Sequence, residues 1–202
     1  MADRERAGTA RRGGRPAVTS HTELAHAALG LFATRGFEAT TVGDIAAAAG
    51  IGRRTFFRYY ASKNDVVWGD FDAELGRMRA LLAARPGDEP LMTSLRHAVL
   101  DFNTFSPDEA PWHRRRMAIV LTVPALQAHL TLRYAAWRRV VAEFVAARHG
   151  GPPDAPLPRA VSHALLAICV ASYEQWLADD ETDLLPVLTA NLHRLEHGFR
   201  TD

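Results

Sequence analysis

Three arginines, a threonine and four aromatic rings crowd one stretch, Arg53-Arg54-Thr55-Phe56-Phe57-Arg58-Tyr59-Tyr60. Wound as a helix, this stretch puts Phe56 and Tyr60 four apart on one face, which suits a core. Arg53, Arg54, Thr55, Arg58 and Tyr59 then spread over the outward surface. That outward set carries the chemistry of major-groove reading. Arginine bonds guanine bidentately, threonine bonds a base edge or touches a thymine methyl, and tyrosine hydroxyls or lysine hold phosphates. An ordinary helical hairpin with a solvated basic face has the same composition, so the neighbouring elements decide between the two.

Those elements read as a helix-turn-helix. Val42, Ile45, Ala46 and Ala49 share one face of a short helix that Thr41 caps, with Asp44 completing a capping box. Gly50 follows as the left-handed turn residue. An earlier helix from about His21 to Thr34, with Ser20 and Glu23 as its capping box and Gly36 as its end, braces the pair through Leu24, Ala28, Leu31 and Phe32. Ahead of it, Arg4, Arg6, Arg11, Arg12 and Arg15 lie in a Gly- and Ala-rich arm, residues 1–19, expected to be disordered alone and able to lie along phosphates or enter a narrow minor groove.

Charge is split accordingly. Residues 1–68 hold ten Lys or Arg against six Asp or Glu, a balance of +4, and the remainder holds fourteen against seventeen, a balance of −3. The whole-chain charge of +1 conceals a basic N-terminal module on an acidic body. With 202 residues and 48% hydrophobic content the chain can bury a full core. No apolar segment follows the N-terminal arginines, and the most apolar stretch, Ala164 to Tyr173, is too short to span a bilayer, so the expected location is cytoplasmic. Cys169, the one cysteine, excludes an internal disulfide and a cysteine-based zinc cluster and reads as a small core residue.

The remainder is helical in pattern, without strand-like alternation. A fourth helix starts behind Ser62, with Asp65 completing another capping box, and a single apolar stripe, Val67, Phe71, Leu75, Met78 and Leu82, runs along it until Pro86 and Gly87. It would connect the basic module to the body. Five further helices are expected: about Leu91 to Phe105, Pro107 to Leu121 with Pro111 awkward near its start, Pro124 to Arg148, Pro158 to Leu177 and Leu185 to Phe199. The architecture is thus all-α with nine helices, divided into residues 20–66 for DNA binding and 67–202 for a body.

That body is rich in large side chains, and core packing accounts for most of them, but polar residues interleave with the apolar positions. Phe71, Phe102, Asn103, Phe105, His113, Met117, Trp137 and Tyr173 are the candidates for a ligand cavity between helices, and Gln127 could also orient a ligand. Leu165, Ile168, Cys169, Ser172 and Trp176 on one stripe, and Leu188, Leu192 and Leu195 on another, could pair with their twofold copies in a homodimer. Two rival readings stand beside a regulator. Glu109 and His113, four apart on a helix, could ligate a metal or share a proton in an enzyme, but no third ligand, nucleophile constellation or phosphate loop accompanies them. A sequence-tolerant architectural DNA-binding protein would bind with little sequence preference and a strong salt dependence.

Together these residues resemble the TetR family of one-component repressors, through Arg35-Gly36-Phe37, the block Thr40 to Ile51, the aromatic helix Arg53 to Tyr60 and the Ser62-Lys63 junction. The resemblance implies a dimer on an operator in double-stranded DNA, with base or backbone contacts from Thr41, Arg53, Arg54, Thr55, Phe57, Tyr59 and Lys63. Thr41 and Lys63 would hold phosphates. Two positions depart from the pattern: Gly52 replaces a capping serine and Phe57 a tyrosine. The body extends the likeness. RRTFFRYYASKNDVVWGDF, FNTF at 102–105, HRRRM at 113–117, PALQAH from Pro124 and YEQWLADD from Tyr173 are similar to the mycofactocin-system regulators. That resemblance implies a small-molecule effector, a long-chain acyl-CoA, no cofactor, and control of genes for a peptide-derived redox cofactor. An acyl chain needs an apolar tunnel and CoA needs cations. Arg114, Arg115 and Arg116 supply cations, but successive helical positions diverge by about 100° and cannot all face one phosphate cluster.

Overall fold

A computed structural model describes residues 20–200; the arginine-rich arm lies outside the described residues. The chain is all-helical, with no strand among them. Three short helices, α1 (His21–Arg35), α2 (Val42–Ala48) and α3 (Arg53–Tyr59), form the N-terminal head. Two of the three expected capping boxes are complete: Ser20 Oγ accepts from the Glu23 amide and Thr41 Oγ1 from the Asp44 amide, each reciprocated by the carboxylate. At the third, Ser62 Oγ accepts from the Asp65 amide at 3.3 Å, but the Asp65 carboxylate accepts from the Ser62 hydroxyl at 2.6 Å rather than from its backbone. The α2–α3 turn is closed by bonds from the Ile51 amide to the Ala46 carbonyl (2.9 Å) and from the Gly50 amide to the Ala47 carbonyl (3.1 Å). This is a Schellman arrangement, and it requires the left-handed backbone that Gly50 supplies at φ 68°.

One expectation is corrected at the junction. The single fourth helix is two, α4 (Lys63–Val66) and α5 (Phe71–Ala83), separated at Gly69, which sits at φ 63°. Asp70 then caps α5, its Oδ1 accepting from the Ala73 amide at 3.1 Å. Counted as one broken helix the pair preserves the expected nine; counted separately there are ten α-helices among the described residues. The break divides the apolar stripe between two cores, Val67 being buried in the cluster of the head and Leu75, Met78 and Leu82 in that of the body.

The body comprises α5, α6 (Leu91–Phe102), α7 (Ala110–Thr122), a 3₁₀ turn (Pro124–Leu126), α8 (Gln127–His149), α9 (Pro156–Leu177) and α10 (Leu184–Glu196). Pro111 lies in the first turn of α7, where a missing amide costs no hydrogen bond, so the helix starts just ahead of it. No described helix is long and apolar enough to cross a membrane.

Two apolar clusters hold the molecule. Head residues Leu24, Leu29, Phe32, Ile45, Phe56 and Val66 share theirs with Val120, Leu126 and Leu130 of the body, so the cluster crosses the junction. The second joins α5, α6 and α8 to α9 and α10 through Met78, Leu95, Val141, Leu165, Leu188 and Leu192. The stripes expected to face a second copy are therefore interior: Leu165, Cys169, Ser172, Trp176, Leu188 and Leu192 are buried, and Ile168 and Leu195 pack against the same core. Hydrophobic periodicity marks a buried face without saying whether its partner is the same chain or another.

Candidate nucleic-acid interface and inner cavity

The head presents one polar, basic surface. Phe56 and Tyr60 are buried, and the Tyr60 hydroxyl donates to the His21 carbonyl at 2.8 Å, fixing the end of α3 to the start of α1. Burial pushes the Tyr60 phenol well above its ordinary range. With that face spent, Arg53, Arg54, Phe57 and Arg58 are exposed and Thr55 and Tyr59 half-buried. None of the three arginines forms an ion pair among the described residues; Arg58 lies over the Tyr59 ring at 5.8 Å. Phe57 is 49% exposed, an apolar ring left in solvent on the outward face of a cationic helix.

Thr41 and Lys63 are placed differently. Thr41 is exposed at the start of α2, but its hydroxyl both accepts from the Asp44 amide and donates to Asp44 Oδ2 at 2.5 Å. These bonds from Thr41 hold the Asp44 carboxyl below its ordinary value. Lys63 Nζ donates to the Phe37 carbonyl at 2.8 Å and rests over that ring at 4.3 Å. An ammonium has two further donors beyond this brace. Gly52 is the N-cap of α3 and gives it no side-chain hydrogen bond.

Behind the head, a cavity of about 410 Å³ opens inside the body. All eight side chains singled out from the sequence line it: Phe71, Phe102, Asn103, Phe105, His113, Met117, Trp137 and Tyr173. Gln127 does not, being exposed at the start of α8. The fold adds Glu74, Arg77, Arg116, Arg133, Tyr134 and Cys169, together with Gly69 and Asp70 of the junction and Thr22 of α1. Glu74, Arg77 and Arg133 look in the sequence like ordinary helix-surface charges, which is why sequence reasoning passes over them, whereas Arg116 belongs to the arginine triplet that the sequence offers as cations.

The polar groups around the cavity are ordered. Tyr173 donates its hydroxyl to Asn103 Oδ1, and Asn103 Nδ2 donates to the Val99 carbonyl at 2.8 Å. Burial raises the Tyr173 phenol far above its ordinary value and takes Cys169 and Tyr134 to about 12 each. His113 stacks on Phe105 with centroids 4.0 Å apart. Desolvation, helped by Arg116 and Arg77, lowers its pKa to about 3, so the ring is neutral at physiological pH. Its Nε2, Trp68 Nε1 and the Tyr134 hydroxyl are buried without a hydrogen-bond partner.

The pairing of Glu109 with His113 is corrected here. The Glu109 carboxylate turns to His26 of α1 (3.1 Å) and Arg116 (3.9 Å), leaving His113 in its aromatic stack. The three consecutive arginines diverge as helical geometry demands. Arg114 reaches Asp180 at 2.8 Å and covers Trp176, Arg115 covers Trp112, and Arg116 alone lines the cavity. Its Nε donates to the Val67 carbonyl at 3.1 Å. Arg133 does likewise for α4, reaching Asp65 at 3.1 Å while lying over Phe71. Two cavity-lining cations therefore also grip the segment that joins head to body.

Comparison with known proteins agrees with both halves. Residues 24–67 match the family described as bacterial regulatory proteins, tetR family, and residues 89–200 match the MftR C-terminal domain. A Mycobacterium tuberculosis protein described as a mycofactocin biosynthesis transcriptional regulator, MftR, is 44% identical over 177 residues, which cover 88% of this chain and 89% of the relative. FadR of Bacillus subtilis in complex with stearoyl-CoA shares the fold with a TM-score of 0.63 at 16% identity, over 90% of this chain and 100% of that one. FadR of Thermus thermophilus in complex with lauroyl-CoA does so with a TM-score of 0.54 at 24% identity, over 90% and 96%. With a reading head of this geometry and relatives of this extent, the chain belongs to the TetR family of bacterial transcriptional regulators, and its C-terminal half is of the MftR type.

Proposed function

We propose that this regulator is a homodimeric repressor that leaves its operator when a long-chain acyl-CoA enters the body cavity, and that its targets are mycofactocin-related genes. The observation that carries this reading is the composition of the cavity wall. Apolar side chains (Phe71, Met117, Trp137, Leu166) suit an acyl chain, and Arg77, Arg116 and Arg133 suit phosphates. Support from relatives is of two kinds: the mycofactocin regulator at 44% identity, and a fold shared with regulators crystallised with acyl-CoA.

On DNA, Arg53, Arg54, Thr55 and Phe57 read base edges from the outward face of α3, and Tyr59, Thr41 and Lys63 hold the backbone. Two copies of α3 in successive major grooves require a twofold partner. With the leucine stripes interior, the dimer face is the opposite side of α9, where Ala160, Ala164, Ala167 and Ala171 are exposed at helical spacing, together with the outward side of α10. Small side chains there allow two helices to approach closely.

Effector phosphates competing for Arg116 and Arg133 would release Val67 and Asp65 and let α4 shift. Operator affinity then falls because the two heads no longer match the half-sites. A hundredfold loss needs about 2.7 kcal/mol of differential effector binding. The experiment is fluorescence anisotropy on the chain's own upstream region at fixed salt, against random DNA. The repressor reading expects tight, sequence-selective binding that oleoyl-CoA weakens and free CoA does not. Equal affinity for random DNA would instead favour the architectural reading, and indifference to every acyl-CoA removes the effector.

A further inference from the structure

The last turn of α10 gathers His193, Glu196 and His197, whose ligand atoms all lie within 4.8 Å of one another. Positions i, i+3 and i+4 share one helical face, and the two imidazole rings are 4.0 Å apart between centroids. His197 Nδ1 is 2.9 Å from the His193 carbonyl. Donation to that carbonyl fixes the tautomer and leaves Nε2 as a lone-pair donor facing outward, the arrangement that metal-ligating histidines use.

The backbone beneath is also held. The Phe199 amide bonds the Arg194 carbonyl at 2.8 Å and the Gly198 amide the Leu195 carbonyl at 3.2 Å, with Gly198 at φ 67°. This second Schellman turn pins the helix end on which all three side chains stand. A helix C-terminus adds negative potential that favours a cation. Competing cations are occupied or loosely placed. Arg194 donates to Asn191 Oδ1 at 2.8 Å, and Arg96 Nε stands 3.7 Å from Glu196 without a hydrogen-bond partner. Glu196 Oε2 is thus ion-paired with Arg96 but not hydrogen-bonded to it, and Glu196 Oε1 is the oxygen left for a metal.

We propose that His193, Glu196 and His197 form a binding site for a zinc-type transition-metal dication, separate from the DNA surface and the body cavity. Two imidazoles and a carboxylate make a borderline N,N,O donor set, which selects zinc, copper or nickel over magnesium or calcium. A tetrahedral ion with Zn–N of about 2.1 Å needs ligand atoms roughly 3.4 Å apart. Rotation of the exposed histidine side chains closes that difference. The fourth position goes to water or to a group from another molecule.

The test is calorimetric titration of the full chain with zinc chloride near neutral pH, where imidazole is largely neutral, read alongside the zinc-dependent rise in melting temperature. One zinc per chain is expected. His193→Gln and His197→Gln each weaken binding by about tenfold or more and cancel the thermal shift, whereas His149→Gln, exposed at the end of α8, changes neither. Both ligand positions are exposed, so the variants fold. Absence of stoichiometric binding, or its survival in either ligand variant, overturns the site. Undiminished binding by Glu196→Gln overturns the three-ligand set.

Discussion

Arg116 Nε donates a 3.1 Å hydrogen bond to the backbone carbonyl of Val67, so a side chain on the wall of the body cavity holds a buried member of the apolar cluster that crosses from head to body. Burial lowers the Arg116 pKa from its ordinary value, opposed by Glu109, and Glu109 in turn meets His26 on α1. Arg116→Met removes the donor, leaves the Val67 carbonyl unpaired and frees Glu109 from its guanidinium neighbour. An unsatisfied buried carbonyl costs about 1–3 kcal/mol. The expected outcome is a lower melting temperature and an operator affinity that acyl-CoA alters by about tenfold less than in the wild type. Anisotropy with and without oleoyl-CoA measures it, and an unchanged effector response removes Arg116 from the path.

Gly69 makes the same junction from the backbone side. At φ 63° any side chain is strained, and an added Cβ would come within 3.7 Å of Arg116 Nη2, which is ordinary contact. Conformation, rather than collision, is therefore the penalty, roughly 1–2 kcal/mol for a residue with a Cβ in this region. For a chain of this size each kcal/mol corresponds to about 2–4 °C. Gly69→Ala is expected to lower the melting temperature by that order and to weaken operator binding without effector, since the head is re-aimed. A melting temperature equal to the wild type would show that the α4–α5 break is not a fixed feature.

On α3, base reading and phosphate holding separate by salt. Arg54→Ala and Thr55→Ala are each expected to cost about 1–3 kcal/mol on the operator and less on random DNA. Arg58→Ala, whose guanidinium lies over Tyr59, is expected to weaken both DNAs alike and reduce the salt slope by about one. Phe57→Tyr restores a hydroxyl at an exposed position and is expected to tighten binding to both. Affinity series from low to moderate salt distinguish these patterns, and equal loss on both DNAs for Arg54→Ala would make it a phosphate contact.

How much of this is legible in the sequence depends on the range of the interaction. Ser20/Glu23 and Thr41/Asp44 are readable because a capping box is complete within four residues. The α4–α5 break had a local signal too, glycine followed by a capping aspartate at Gly69-Asp70, but the apolar stripe running in phase from Val67 to Leu82 outweighed it. Eight cavity residues are legible as bulky side chains with polar ones interleaved, although core packing accounts for most such residues in the body. Arg116 is not, because nothing in Arg114-Arg115-Arg116 tells which one faces inward until α7 is packed against α1, α8 and α9. The leucine stripes of α9 and α10 illustrate the same limit: the pattern gives the buried face, and only the fold gives its partner.

His113 gives the stability of the body a pH dependence whose sign follows from its burial. The folded-state pKa is about 3, against 6.5 for the free side chain. Above pH 6.5 both states hold a neutral ring and the group contributes nothing pH-dependent. Below 6.5 the unfolded chain takes up a proton that the folded chain refuses, so stability falls as pH drops, by at most about 1.4 kcal/mol per unit, until the folded ring protonates near 3. The large carboxylate shift, Glu89 lowered to about 2 by Arg85, Ser94 and His97, acts only below its ordinary 4.5. Between pH 6.5 and 4.5 the His113 contribution is therefore separable. His113→Phe keeps a ring against Phe105 and Trp176, removes the unpartnered Nε2 and cannot titrate. It is expected to flatten the melting-temperature profile in that window and to match or exceed the wild type at pH 5. A variant that loses stability on acidification as steeply as the wild type would show that the ring at position 113 is not held neutral in the fold.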